Sequence, residues 1–122
     1  MTEDDVAHAI REQLERLFPK TCTTCGRAYA NLREYIRDTE PLGAPVSYDA
    51  DARDWNPANP LGAMVMANCA CGSTLALTST GMDLERLHAV MAWLRAETQA
   101  HGVRPSEILA RLRERVRQEV LG

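Results

Sequence analysis

Apolar positions recur at helical spacing in four stretches of the chain and alternate with polar ones in a fifth. Val6, Ile10, Leu14 and Leu17 share one stripe, and Thr2 with Asp5 three residues later can close a capping box ahead of it. The spacing predicts an amphipathic helix that runs to Phe18, because the residue before Pro19 is pushed away from helical backbone. Asn31 and Glu34 offer similar cap chemistry to a shorter helix carrying Leu32, Tyr35 and Ile36, which fades by Thr39. Further on, Leu84, Leu87, Met91 and Leu94 form a stripe with Val90 and Trp93 beside it. Thr80 and Asp83 suit a capping box for that helix, and Gly102, just after His101, suits its C-terminal cap. Pro105 fits the first turn of a last helix, whose Leu109, Leu112, Val116 and Val120 line one face nearly to Gly122. The short joint between these two helices predicts an αα-hairpin.

The period changes to two in MVMANCACGSTLALTS, where Leu75 and Leu77 alternate with Thr74, Ala76 and Thr78. A β-hairpin follows, with the cysteines of this stretch at its turn. Four of the six prolines, Pro41, Pro45, Pro57 and Pro60, lie between Glu40 and Gly62 and forbid a regular element of any length there. Residues 40–61 therefore read as a long loop, anchored by Val46, Tyr48, Trp55 and Leu61.

Composition sharpens this into a class. A chain of 122 residues, 45% hydrophobic and 25% charged, has globular rather than disordered composition and the length of one domain, 1–122. Such a domain buries roughly two thirds of the surface its unfolded form exposes, so an additional staple would help it. The expected fold class is α+β: a hairpin core over 21–79, an N-terminal helix over 1–20 and a helical hairpin over 80–122. The acidic start MTEDDVAHAIREQL lacks the pattern of a secretory signal, and no run of eighteen apolar residues occurs, so the expected location is cytoplasmic with no membrane partner. Net charge is −3, and thirteen arginines against the single Lys20 do not form a nucleic-acid signature. Locally, Asp38, Glu40, Asp49, Asp51 and Asp54 make an acidic stretch, while five arginines and three glutamates from Arg104 to Gly122 make a modest basic face.

The four cysteines carry the clearest chemistry. Cys22-Thr-Thr-Cys25-Gly26 and Cys69-Ala-Cys71-Gly72 are two thiol pairs, each followed by a glycine. Such a pair on a tight turn binds one ion from one side, because the backbone amides of the turn point at the sulfurs and the glycine permits the required backbone shape. Two pairs with no cysteine left over predict one closed tetrahedral site, Cys22, Cys25, Cys69 and Cys71, suited to Zn2+ in a structural role. Iron or an iron-sulfur centre, and disulfide or thiol redox chemistry, are the alternatives. A rubredoxin-like site would repeat the two-residue spacing, a dithiol oxidoreductase would set its pair at a helix start after a buried strand, and stable disulfides are rare in the cytoplasm.

Over Thr21 to Thr78 the chain resembles the broad zinc-ribbon and zinc-knuckle class. The stretch from Cys22 also resembles the opening of a Cys2His2 zinc finger, since Tyr29 and Tyr35 stand where such fingers place their small core. The likeness stops there: Asp38 and Leu42 occupy the two histidine positions, so the second cysteine pair has to complete the site.

Other candidate chemistry is weaker. His8, His88 and His101 lie on the helices without partners at metal spacing, and the Asp49, Asp51, Asp54 run lacks the glycine and the glutamate of a helix-loop-helix calcium site. No phosphate loop, nucleophile elbow or His-Glu-x-x-His is present, so the chain reads as a non-enzyme. The expected function is that of a zinc-binding adaptor or regulator acting on a protein partner, through the loop around Tyr48 and Trp55 or through the C-terminal helices. Two readings compete with it: a transcription regulator that sets the last helix, with Arg104, Arg111 and Arg115, on DNA as a homodimer, and a thiol-based redox or metal sensor.

Overall fold

Thr2 begins the first helix by reciprocal capping. Its hydroxyl accepts from the Asp5 N–H at 3.2 Å, while its own N–H donates to the Asp5 carboxylate at 2.8 Å. These bonds to Thr2 hold the Asp5 carboxyl below its usual range. In the computed structural model, which describes residues 1–42 and 63–122, the helix is α1, Glu3–Arg16. It ends two residues before the Phe18 limit that Pro19 predicts. The Leu17 and Phe18 amides donate three residues back, to Leu14 and Glu15, which tightens the last turn and closes the α-helix early. Gln13 is buried on α1, and its Nε2 donates to the carbonyls of Thr78 and Thr80, so it docks the helix on the end of a strand 65 to 67 residues away.

The strands are short and antiparallel. β1 (Lys20–Thr21) and β2 (Ala28–Tyr29) pair as Lys20 with Tyr29 and Thr21 with Ala28, a hairpin too short for alternation to reveal. α2 (Leu32–Asp38) follows, with Asn31 capping the Glu34 N–H at 2.8 Å and Thr39 closing the other end on the Tyr35 carbonyl. The stretch expected to start a loop at Glu40 instead opens with a strand. β3 (Glu40–Pro41) pairs with β4 (Ala63–Asn68), Glu40 facing Asn68 and Pro41 facing Ala67. Proline is tolerated there because β3 is an edge in the order β3-β4-β5. The rest of the predicted loop, with Val46, Tyr48, Trp55, Leu61 and the Asp49, Asp51, Asp54 run, lies outside the described residues.

β5 (Thr74–Thr78) completes the expected hairpin with β4, and alternation holds in it: Leu75 and Leu77 are buried while Thr74 is exposed. α3 (Leu84–His101) then starts later than a Thr80–Asp83 capping box would place it. Asp83 is the cap, accepting from the Arg86 N–H at 3.1 Å, because the Thr80 hydroxyl is engaged by Thr78 and its carbonyl by Gln13. The shift leaves Leu84, expected on the apolar stripe, 64% exposed. Gly102 caps the other end as predicted, in left-handed backbone at φ 64°. α4 (Pro105–Leu121) has Pro105 in its first turn and buries Ile108, Leu109, Leu112, Val116 and Val120.

The described residues are therefore α+β, with four helices and two small antiparallel sheets. α4 is more central than a hairpin partner of α3 alone, because it also packs on α1 and α2. Its arginines reach back to the acidic start of α1. Arg111 donates to Glu3 at 2.5 Å and Arg115 to Asp4 at 2.5 Å and to Glu119 at 3.1 Å. Arg86 of α3 donates to Glu12 of α1, tying the third helix to the first. No described helix is long and apolar enough to cross a membrane.

Burial separates two leucines that sequence spacing treats alike. Leu112, 1% exposed, should cost about 2 to 5 kcal/mol when replaced by Ala, whereas Leu84→Ala should stay within about 0.5 kcal/mol. Urea denaturation of the two variants beside the parent protein measures both.

Candidate metal centre

Each cysteine pair sits where a hairpin turns. In the first, the Cys22 N–H donates to the Arg27 carbonyl and the Gly26 N–H to the Cys22 carbonyl, both at 2.8 Å. In the second, the Cys69 N–H donates to Ser73 and the Gly72 N–H to Cys69, again at 2.8 Å. Gly26 and Gly72 have φ of 80° and 94°, which a side chain would disfavour; this is the role the sequence predicts for a glycine after each pair.

The two turns face each other across 44 to 49 residues of chain. Cys22 Sγ lies 3.7 Å from Cys71 Sγ and Cys25 Sγ lies 3.6 Å from Cys69 Sγ, and all four sulfurs fall within 4.8 Å of one another. All four are free thiols, one buried and one exposed in each turn: Cys22 and Cys69 face the core, Cys25 and Cys71 face outward. Four sulfurs in this arrangement can hold one metal ion. Among the described residues they are the one group of His, Cys, Asp or Glu so placed. His8, His88 and His101 are exposed and stand apart from it, His8 beside Glu12 and His101 beside Glu97.

The turns also supply hydrogen bonds to the sulfurs. The Cys69 thiol is brought down to about 6, first by the backbone N–H of Cys71 and then by the Tyr29 hydroxyl. Ser73, through its hydroxyl and its N–H, lowers Cys71 in the same way. At Cys25 the N–H of Arg27 acts in that direction too, but the Cys69 sulfur, burial and the other two thiols outweigh it and push Cys25 up to about 11. Each amide lies two positions past its sulfur, so in the Cys-x-Cys pair Cys71 serves twice, as a sulfur and as the amide that faces Cys69.

Sequence spacing points to the four sulfurs but not to the side chains around them. The Tyr29 hydroxyl, on a fully buried ring, donates to Cys69 Sγ at 3.1 Å, which holds the phenol up to about 12. Tyr29 and Tyr35 meet edge to face at 6.0 Å, the small core that the finger-like spacing implies. Asp38, at the position of a finger histidine, accepts from Arg27 and Arg37 at 2.9 Å instead of joining the sulfurs. Only the amides had a local signal, the i+2 offset; the Tyr29 contact bridges 40 residues and has none.

Comparison with protein-family models, with curated proteins and with solved structures gives no match.

Protons and metal compete for the same sulfurs, because each thiol must ionise to bind an ion. The expected sign is weaker binding as pH falls, steepest below about 6, where Cys69 takes up its proton. Titration of the loaded protein with acid, read by release of the ion to a dye, checks this.

Proposed function

We propose that the chain is a zinc protein of the zinc-ribbon and zinc-knuckle class, with a structural ion held by Cys22, Cys25, Cys69 and Cys71. The observation that carries this is the sulfur spacing. Bonds of about 2.3 Å at the tetrahedral angle put thiolates roughly 3.8 Å apart, and the cross-turn separations are 3.6 and 3.7 Å. Four sulfur donors suit zinc, and they leave no coordination position for water or substrate, which supports a structural over a catalytic ion. The buried residues of both sheets and all four helices join one cluster, which supports a single domain over the described residues. A site whose four sulfurs must stay reduced to hold an ion fits a reducing compartment such as the cytoplasm.

On this basis the protein acts as a non-enzymatic adaptor or regulator, whose ion keeps a surface in shape for a protein partner. The pairing of Arg111 and Arg115 with Glu3, Asp4 and Glu119 favours that over a DNA-binding last helix, since neutralised arginines attract phosphate weakly. The purified chain should carry one zinc per molecule by elemental analysis. Zinc-loaded bait should retain a partner that bait stripped by a chelator does not. Iron in place of zinc, or the same proteins recovered by both baits, overturns the assignment.

The exposure of Cys25 and Cys71 supports a second reading, a redox sensor that gives up its ion when these sulfurs are oxidised. Mild peroxide should then release zinc, followed by a metal-binding dye, and a reductant should restore binding. Zinc retained throughout the treatment removes the sensor reading and leaves the structural one intact.

A further inference from the structure

Cys69 is 3% exposed, so the charge on its sulfur has to be met by protein donors rather than by water. Four thiolates around one divalent ion carry a net charge of −2, and half of the sulfurs lie on the core side. The Cys71 N–H supplies one donor to Cys69. The second is the Tyr29 hydroxyl, which lies at 3.1 Å and is itself buried. Tyr29 is in turn dressed from outside. The Arg27 guanidinium lies over its ring, 4.8 Å from the centroid, and Asp38 accepts from Arg27 at 2.9 Å while also gripping Arg37. A cation over the face of a phenol draws charge from the ring and makes its O–H a stronger donor.

We propose that Tyr29 is a positioning residue of the metal centre: its hydroxyl, strengthened by Arg27, which Asp38 holds in place, fixes the Cys69 sulfur and takes up part of the charge of the bound thiolates. This rests on the metal assignment above. The arm extends it, because Asp38 stands where a finger would place a histidine and acts on the ion through Arg27, Tyr29 and Cys69 rather than by binding it. The ring of Tyr29 fills the core against Tyr35, whereas its hydroxyl has no packing duty, so the two roles separate in one substitution.

Tyr29→Phe keeps the ring and removes the donor. Zinc affinity, from competition with a chelator, should fall about 10- to 100-fold relative to the parent protein. In the cobalt-loaded protein the sulfur-to-metal charge-transfer band should move to lower energy, since a thiolate that loses a hydrogen bond gives up its electrons more readily. Arg27→Gln, at an exposed position, should move the band the same way by a smaller amount, and it decides the matter if Tyr29→Phe does not fold. Unchanged affinity and band in Tyr29→Phe overturn the proposal, and so does weaker binding with an unmoved band, which would reflect ring packing alone. A parent protein that takes up no cobalt defeats the metal assignment itself, and the proposal with it.

Discussion

Two turns that are 44 to 49 residues apart in sequence must bring four sulfurs within 4.8 Å, and the central part of the structure is arranged around that requirement. Neither hairpin could stand alone. β1 and β2 have two residues each, and β4 and β5, at six and five, have only the two-residue β3 as a third strand, a sheet that is marginal in water without a helix against it. The sulfurs lie where the ends of the two hairpins meet, and α2, seven residues long and too short to persist alone, lies in the chain between them. Its Tyr35 donates to the Leu75 carbonyl at 2.7 Å, a second tie between the same two parts of the chain. Phe18 and Tyr29 both meet Tyr35 edge to face, so the ring joins the end of α1 to the first hairpin.

The helices solve a different problem. α1, α3 and α4 together bury the larger apolar stripes, and α4 lies against each of the other three helices. Its charges complement that packing. The acids in the first turn of α1 meet the positive end of their own helix and the arginines of α4 at once, so Glu3 and Asp4 serve both a helix terminus and an interhelical contact. Exposed pairs of this kind add little stability singly, since solvent screens them. Their larger consequence is for surface potential, because they set the carboxylates of α1 against Arg111 and Arg115, two of the five arginines from Arg104 to Gly122.

Local chemistry was legible in the sequence and, apart from the convergence of the cysteine pairs, distant pairing was not. Thr2 with Asp5, Asn31 with Glu34, Gly102 and Pro105 each act on backbone within four residues, so their effect can be read from order alone. The apolar faces of α1 and α4 and the alternation of Leu75 and Leu77 follow from periodicity in the same way. Four cysteines in two glycine-closed pairs implied convergence, because a lone pair cannot fill a tetrahedral site, and the sulfurs do converge. The misses share one cause. β3 exists only because β4 returns beside it; Thr80 fails as a cap because Gln13, 67 residues away, and Thr78 take its groups; Leu84 is exposed because the helix register moved with the cap. Arg111 and Arg115 look like a free basic face until the fold places α1, 108 and 111 residues earlier, against them.

The sulfur cluster is asymmetric, and the asymmetry is built by the second turn. Each hairpin contributes one buried and one exposed sulfur, so an ion there would sit at the boundary between core and solvent. In that turn the Cys71 amide faces Cys69, and the Ser73 amide and hydroxyl face Cys71. Backbone and side-chain donors therefore gather on the sulfurs of that turn, and Tyr29 reaches across from the first hairpin to add one more. At Cys25 the corresponding amide is outweighed by the neighbouring sulfurs and burial, which push its thiol up. The two sulfurs of the second turn thus receive amide, hydroxyl and phenol donors, whereas at Cys25 the neighbouring sulfurs outweigh the single amide.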